Sequence, residues 1–271
     1  MTRTLTYVLH QSFRYTYDAP VRELNHRLVV VPPRQHGDQF LRRHTVTVSA
    51  DDARTAHRRD AAGNLITRAR VPWVADRVEF ALEAVVERIG PSADALLPAT
   101  ALTCQRLLRP TRLTAADPTI RELAATMADR DRLATAERFC AYVHYAIGYA
   151  HGVTSIATTA GEALAVGSGV CQDFAHIMIA LCRAIGLPAR YVSGHLLGEG
   201  GTHAWVEVIV ADPAGARAVA FDPCHGRRAG RDYLTVATGR DYTDVAPTSG
   251  TYLGSAHGTL TATKRMEVEP A

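Results

Sequence analysis

The period of the apolar residues changes once along this 271-residue chain, and that change limits the fold more than any other feature. In residues 1–90, apolar and polar residues alternate in short runs, which is the two-residue period of half-buried β-strands. From Asp117 onward, apolar residues recur at the 3.6-residue period of amphipathic helices, and strand-like runs follow those helices. Because strands and helices occupy separate blocks, the sequence predicts an α+β protein.

The first block contains strand-like runs separated by turn signals such as Pro32-Pro33 and Gly63-Asn64. The runs are residues 4–17, 27–33, 41–50, 65–69 and 79–89. We predict an antiparallel β-sandwich or barrel of about six or seven strands. The period of residues 79–89 also fits a helix, so this run stays ambiguous. We place a β-rich N-terminal domain at residues 1–90, a connector at 91–115 and a second domain at 116–271.

The second domain is predicted to begin with helices. Asp117 followed by Pro118 is typical of a helix start, and Gly186 with Pro188 indicates the end of a later, strongly apolar helix. The predicted helices lie at residues 117–127, 133–147, 159–167 and 171–185. The predicted strands lie at residues 189–195, 203–210 and 216–221, the last two joined by an Asp-Pro-Ala-Gly turn.

Composition argues against several classes of protein. No apolar run approaches the ~18 residues of a membrane helix, so we expect no membrane partner. The N-terminus alternates apolar and polar residues without the apolar core of a signal peptide, which predicts a cytoplasmic location. The net charge is only 30 − 27 = +3, and the arginine-rich N-terminal part lacks interleaved aromatic residues. We therefore expect no nucleic-acid partner.

Two residue counts concern cofactors and redox state. Lys264 is the only lysine and follows Thr-Ala-Thr, which excludes a phosphate-binding P-loop and argues against a pyridoxal Schiff base. We expect no cofactor. The five cysteines form no Cys-x-x-Cys pair and leave an odd one over, which is typical of a reducing compartment. The oligomeric state does not follow from the sequence.

Cys171 is the candidate nucleophile because it begins its predicted helix, directly after Gly-Ser-Gly-Val. Backbone N–H groups and the positive dipole end of a helix favour a thiolate there and can stabilise an oxyanion. We expect Gly167 and Gly169 to let the chain turn and to leave room for substrate. Cys182 falls within the apolar period of the same helix, which indicates a core thiol.

His203 and Asp222 are the candidate partners of this thiol. His203 opens one predicted strand and Asp222 closes the next, so a hairpin would bring them together. A base held by an orienting carboxylate is what a thiol nucleophile requires. Each residue alone is also compatible with a structural role, because buried cysteines, packed histidines and Asp-Pro turns are common.

Taken together, these residues are similar to the transglutaminase-like superfamily of papain-related cysteine enzymes, in particular to bacterial two-domain members with a β-rich N-terminal domain. The matching segments are GVCQDFAH (169–176), GLPARYVSG (186–194), HAWVEV (203–208), FDP (221–223) and GRDYTDVAP (239–247). The resemblance implies a catalytic core with a nucleophile helix packed on an antiparallel sheet. It also implies Cys171 as nucleophile, His203 as general acid and base, and Asp222 as the orienting carboxylate.

The resemblance implies acyl transfer on amide or peptide bonds through a thioester. A peptidase or amidase is the favoured prediction, with a peptide or protein amide as substrate. A transglutaminase or amide ligase with an amine acceptor is one alternative, and a non-catalytic peptide-binding module on the same fold is another. No calcium-loop signature is present, which disfavours a calcium-activated crosslinker.

Other residues near these motifs have weaker predictions. After Asp-Pro the family usually continues with Thr and Asn, whereas this chain has Cys224-His225. The cysteine is interpreted as a tolerated replacement, with a resolving thiol as the alternative. A zinc site built from these two residues with Cys171 and His203 is disfavoured by its spacing, so we expect no metal.

Gln172 and Trp205 are predicted to bind substrate, although a core position for the tryptophan is an equal alternative. Asp173 is placed to complement the helix dipole. His176 is expected to pack under the site, and residues 240–242 to support it from nearby.

Overall fold

The computed structural model describes residues 4–90 and 94–270. Residues 1–3, 91–93 and 271, which the predicted domain bounds include, lie outside this description. The strands are β1 (Leu5–Tyr17), β2 (Val21–Val31), β3 (Gln35–His36), β4 (Gln39–Val48), β5 (Arg54–Arg59), β6 (Leu65–Val74), β7 (Arg77–Arg88), β8 (Ala95–Leu97), β9 (Gly148–Tyr149), β10 (Ser168–Gly169), β11 (Ala189–Leu196), β12 (His203–Asp212), β13 (Gly215–Asp222), β14 (Arg227–Arg228), β15 (Tyr233–Gly239), β16 (Thr248–Leu253) and β17 (Gly258–Pro270).

The helices lie mostly between β8 and β11, and a 3-10 helix at Ala99–Thr103 precedes them. They are α1 (Gln105–Leu108), α2 (Pro118–Met127), α3 (Arg132–Ala146), α4 (Ala160–Val166), α5 (Cys171–Ala184) and α6 (Tyr242–Val245). Among the described residues, no helix is long and apolar enough to cross a membrane.

The N-terminal half is a sandwich of two antiparallel sheets. One sheet has the strand order β17-β1-β7-β4-β3, and the other has the order β16-β2-β6-β5. Every second residue of β7 is buried from Val78 to Val86, which is the pattern of a strand with one face in a core. His26 on β2 stacks on Phe80 of β7, with ring centroids 4.3 Å apart, so the two sheets meet face to face.

The α+β prediction is confirmed, one ambiguity is resolved, and two details differ from the sequence analysis. Residues 79–88 lie in a strand, as the first of the two alternatives predicts, because their alternating burial, and not a helical stripe, meets the core. The last two strands fall inside the predicted second domain, yet β16 pairs with β2 and β17 with β1. The predicted connector holds β8, which pairs with β13. The domain bounds stay a prediction, but these pairings join residues 248–270 to the N-terminal sheets.

The second half packs helices on one sheet with the order β14-β13-β12-β11-β15. Its central helix α5 is buried along Gln172–Arg183, packing on β11 and β12 on one side and on α2, α3 and α4 on the other. A fully buried helix has little freedom to shift, so the residue at its N-terminus has a fixed position.

Strand β15 joins the two halves. The side-chain amide of Gln39 donates to the carbonyl of Thr235 at 2.8 Å and accepts from its N–H at 2.9 Å. Asn64 makes the same two bonds to Thr238, at 2.8 and 2.9 Å. The sandwich therefore holds β15 by paired amide hydrogen bonds on buried side chains.

Candidate active site

Cys171 is the first residue of α5, as the sequence predicts. Val170 before it is extended, and the carboxylate of Asp173 accepts the Val170 N–H at 2.8 Å, which fixes the first turn. Thr154 donates to the same carboxylate oxygen at 2.7 Å. Asp173 therefore lies in the first turn of the helix, as the sequence predicts, and its side chain caps the helix to which it belongs.

The two glycines before Cys171 have different roles. Gly167 has φ of 71° and ends α4, which confirms the predicted sharp turn. A Cβ on Gly169 would lie 2.5 Å from Oδ2 of Asp173 and 2.8 Å from its Cβ. The prediction that Gly169 leaves room for substrate is therefore wrong, since the Asp173 side chain occupies that space.

The β12–β13 hairpin brings His203 and Asp222 together. Val206 pairs with Phe221 in antiparallel register, so the start of one strand lies beside the end of the other. Nε2 of His203 donates to Oδ2 of Asp222 at 2.7 Å. Both residues are buried, with exposed fractions of 4% and 0%. Cys171 lies close enough to His203 to influence the pKa of the imidazole.

Asp222 is the most heavily bonded carboxylate of the site. Its Oδ2 also accepts from the hydroxyl of Tyr233 at 2.6 Å and from Nδ1 of His225 at 2.8 Å. Its Oδ1 accepts the backbone N–H of Cys224 at 2.9 Å. Burial acts to raise the pKa of Asp222, but the bonds to His203, Tyr233 and His225 outweigh it and lower the pKa.

The charge of His203 follows from these contacts. Burial alone lowers the pKa of an imidazole, yet the hydrogen bonds and negative charges of Asp222 and Cys171 outweigh burial and raise the pKa of His203. Because Nε2 is engaged by Asp222, Nδ1 is the nitrogen available to the thiol and to substrate. The raised pKa favours the imidazolium form of His203 at neutral pH.

A possible metal cluster lies within the same group of residues. The ligand atoms of His203, Asp222 and His225 lie within 4.8 Å of one another. However, Oδ2 of Asp222 already accepts three hydrogen bonds, and both imidazoles use a nitrogen to make two of them. Hydrogen bonds therefore account for this cluster, and the cysteines of the disfavoured zinc arrangement are not among its members.

Trp205 is buried next to His203. Its side chain is 1% exposed and packs with Val192, Leu196 and Tyr233. The indole stacks on the His203 ring at 6.2 Å with an interplanar angle of 26°. This burial fits the core alternative for Trp205, and the predicted substrate contact stays a prediction. Gln172 follows Cys171 and is 7% exposed, so its predicted substrate contact stays a prediction.

His176 lies on the buried side of α5, in agreement with the expected packed position. Its ring is fully buried, and burial lowers its pKa to about 4, so it is neutral. Nε2 of His176 accepts the backbone N–H of Tyr242 at 3.2 Å. The segment predicted to support the site therefore bonds to the back of α5 and not to the three candidate residues.

Several residues near the site escaped the sequence analysis. Tyr233 begins β15, and neither its spacing nor its type indicated a bond to Asp222. Glu199 lies between two glycines in the loop before β12, and its carboxylate reaches both His203 and His225. Tyr149 on β9 is 54% exposed and close enough for Cys171 and Glu199 to affect its pKa.

Three of the other cysteines have a raised pKa. Burial raises the pKa of Cys140 and Cys182 to about 12, in agreement with the prediction of a core thiol at Cys182. Burial and the charge of Asp222 also raise the pKa of Cys224.

Comparison with known proteins identifies the family. Residues 121–223 match the transglutaminase-like superfamily, and residues 7–87 match the bacterial transglutaminase-like N-terminal region. The chain belongs to the transglutaminase-like superfamily, a family of cysteine-based enzymes. The two matched ranges agree with the predicted order of a β-rich N-terminal part followed by the core that contains Cys171, His203 and Asp222.

The relatives extend this comparison. An uncharacterized protein of Mycobacterium leprae is 37% identical over 118 residues, which is 40% of each chain. An uncharacterized protein of Mycobacterium tuberculosis is 40% identical over 114 residues, covering 38% of this chain and 36% of its own. The match thus spans about 40% or less of the length of these curated relatives.

A solved structure supports the fold over the whole chain. A protein of Cytophaga hutchinsonii, described as a candidate cysteine protease, superposes with a TM-score of 0.76. The two chains are 22% identical, and the superposition covers 99% of this chain and 90% of the other. At this identity the similarity shows a shared fold.

Proposed function

We propose that this protein is a cysteine-dependent acyl-transfer enzyme that acts on amide or peptide bonds through a thioester. Cys171 is the nucleophile, His203 the general acid and base, and Asp222 the carboxylate that orients the imidazole. The observation that carries the proposal is the buried His203–Asp222 hydrogen bond beside a cysteine at a helix N-terminus. That combination supplies a nucleophile, a proton carrier and an orienting charge.

The first half-reaction forms the acyl-enzyme. The Cys171 thiolate attacks the amide carbonyl carbon, and the oxygen becomes an oxyanion near the first turn of α5. The N–H groups of Cys171 and Gln172 occupy the first two helical positions, where no intrahelical acceptor exists, so they are free to stabilise that oxyanion. The imidazolium of His203 then gives its proton to the nitrogen, the C–N bond breaks, and the amine leaves.

The second half-reaction resolves the thioester. Neutral His203 takes a proton from the incoming nucleophile, which attacks the thioester carbonyl, and the C–S bond breaks to restore the thiolate. With water as nucleophile the protein is a peptidase or amidase, and with an amine it is a transglutaminase or amide ligase. We favour hydrolysis, in agreement with the protease description of the Cytophaga protein that shares this fold.

Trapping the acyl group with hydroxylamine tests this proposal. The protein is incubated with a library of peptide amides and hydroxylamine, and hydroxamate products are identified by mass spectrometry. We expect hydroxamates from the wild type and from Cys104→Ser, a matched control at a partly exposed cysteine. Cys171→Ser should form none. Binding of peptides without any hydroxamate, in the wild type as in the variant, would contradict the proposal and favour a peptide-binding module.

A further inference from the structure

Glu199 carries a carboxylate to the reactive side of the imidazole. Its Oε2 lies 3.4 Å from Nδ1 of His203, and its Oε1 lies 3.5 Å from Nε2 of His225. Nδ1 is the nitrogen that must protonate the leaving amine and deprotonate the incoming nucleophile, because Asp222 engages Nε2. Glu199 therefore marks the side of the site from which amines leave and at which they enter.

The carboxylate retains the capacity to bind another group. Its two contacts are longer than the 2.7–3.2 Å of well-formed N–H···O hydrogen bonds, and no closer side-chain partner occurs among the described residues. The side chain is 38% exposed. The neighbouring glycines face open space, because a Cβ added to Gly198, Gly200 or Gly201 would meet no atom within 4 Å.

Hydrogen bonds nevertheless anchor the backbone of the loop next to Glu199. The N–H of Leu197 donates to the Asp232 carbonyl at 2.9 Å, and Nζ of Lys264 donates to the Leu196 carbonyl at 3.1 Å. The Glu199 N–H closes the turn on the same Leu196 carbonyl at 3.3 Å. A positioned carboxylate selects ligands more sharply than a freely moving one, since less freedom is lost on binding.

Glu199 gives the exposed side of the site a negative charge, because its side chain is 38% exposed. Burial raises the pKa of Tyr149, and the negative charges of Cys171 and Glu199 act in the same direction. Such a potential attracts cations and repels anions.

We propose that Glu199 is a specificity-determining residue that selects amines carrying a second, positive charge on the leaving and acceptor side of the scissile bond. The inference rests on the proposed acyl transfer and adds a substrate class to it: a basic side chain on the amine component. Glu199 forms an ion pair with that side chain, while the amine itself lies beside Nδ1 of His203.

Competition between two amines tests this assignment. The acyl donor is p-nitrophenyl acetate, and the acceptors are L-argininamide and L-citrullinamide, which have nearly the same shape but differ in side-chain charge. Acetyl products are quantified by mass spectrometry, and the background with Cys171→Ala is subtracted. We expect the wild type to prefer argininamide by about fivefold, the strength of a partly exposed ion pair. In Glu199→Gln the ratio should approach one, and in Glu199→Asp part of the preference should return.

The matched control is Glu83→Gln, an exposed glutamate on β7, which should keep the wild-type ratio. A wild-type ratio near one, or a preference that survives Glu199→Gln, would overturn the assignment. A faster Glu199→Gln enzyme with an unchanged ratio would also overturn it, because the carboxylate would then act on His203 alone. If p-nitrophenolate appears in a burst but neither amine is preferred, the acyl-transfer proposal stands and the assignment of Glu199 fails. If no burst appears, both proposals fail.

Discussion

Asp222 is the residue on which the hydrogen bonds of the site converge. Its carboxylate accepts from two imidazoles, one phenol and backbone N–H groups, all from side chains or turns near the end of β13. A buried carboxylate is stable only when its lone pairs are used, so this network keeps Asp222 ionised at 0% exposure. The charge then stabilises the imidazolium of His203.

Replacing Asp222 by Asn tests that charge. The amide keeps the shape but removes the negative charge, so the pKa of His203 falls and less imidazolium stands beside the thiolate at neutral pH. We expect the rate of Cys171 alkylation by iodoacetamide to drop about a hundredfold or more. Cys224→Thr retains the backbone N–H that Asp222 uses, and its rate should stay near wild type. If Asp222→Asn kept the wild-type rate and Cys224→Thr lost it, the assignment of Asp222 would be wrong and the Cys224-His225 pair would become the candidate site.

Selective labelling provides a second test of residue roles. Three of the other cysteines have a pKa raised by burial, so at about pH 6.5 they contain almost no thiolate. We expect iodoacetamide to label Cys171 first, as read by peptide mapping after partial reaction. Equal early labelling of Cys140 or Cys182 would show that the helix N-terminus and His203 do not activate Cys171.

The limits of the sequence are visible in the residues of the site. Cys171, His203 and Asp222 were predictable because each begins or ends a local element whose period can be counted. Tyr233 and Glu199 reach the site through contacts between distant segments, and no local pattern encodes those contacts. Trp205 was predicted only as one of two alternatives, since an aromatic residue in a strand fits a groove and a core equally well.

At the scale of elements, the position of the candidate nucleophile Cys171 depends on the short loop between α4 and α5. Gly167 ends α4 in the left-handed region, and β10 then pairs in parallel with β9 before α5 begins. The absence of a Cβ at Gly169 allows the Asp173 carboxylate to cap the helix against Val170. The position of Cys171 therefore depends on a glycine and a cap in adjacent turns.

Gly169→Ala should disturb that cap. The new Cβ would lie within 3 Å of three Asp173 atoms, which must move away from the Val170 N–H. We expect a loss of about 1–3 kcal/mol in the free energy of unfolding, measured in urea, together with slower Cys171 alkylation. Gly148→Ala on the neighbouring strand is the control, because its Cβ would contact only the Gly167 carbonyl at 3.9 Å. Equal effects from both variants would argue against a specific role for the cap.

Element boundaries were predictable to the extent that local signals defined them. The caps at Asp117 and Thr159 and the stop at Gly186 are local chemical signals. Helices α2 and α4 begin directly after the two caps, and α5 ends just before the glycine. The pairing of β16 and β17 with the N-terminal sheets was not predictable. Their partners lie more than 200 residues away, and strand alternation shows which face is buried without naming the neighbouring strand.

At the scale of the molecule, β15 connects the sandwich to the site. One side of this strand is held by Gln39 and Asn64 from the N-terminal half, and its first residue, Tyr233, donates to Asp222. Arg88 and Asp38 form a buried ion pair beside it, and Arg88 also donates to the Tyr233 carbonyl at 2.7 Å. The N-terminal half therefore positions Asp222 indirectly, although it supplies none of the three candidate catalytic residues.

A second link between the halves is the buried ion cluster around Glu207 on β12. The carboxylate bonds to Nε2 of His36 from the sandwich at 2.5 Å and to Nε of Arg190 on β11 at 2.6 Å. Its side chain is 1% exposed. Removing one member of such a buried cluster leaves the others without compensation, which destabilises a protein by roughly 3–5 kcal/mol.

Glu207→Gln should therefore destabilise the protein in a pH-dependent way. Burial acts to raise the pKa of Glu207, but Arg190 and His36 outweigh it and lower the pKa from 4.5 to about 2. A lowered carboxyl pKa contributes stability above the unfolded value, and this contribution is lost as the pH falls from 4.5 toward about 2. In urea unfolding at neutral pH we expect the variant to be less stable by about 3 kcal/mol. The difference should shrink toward zero near pH 2, where the wild-type carboxyl is protonated and resembles the amide.

Glu267→Gln, which removes an exposed pair with Arg265, should change stability by less than about 1 kcal/mol at either pH. A difference of equal size at both pH values would mean that Glu207 acts through its shape and not its charge.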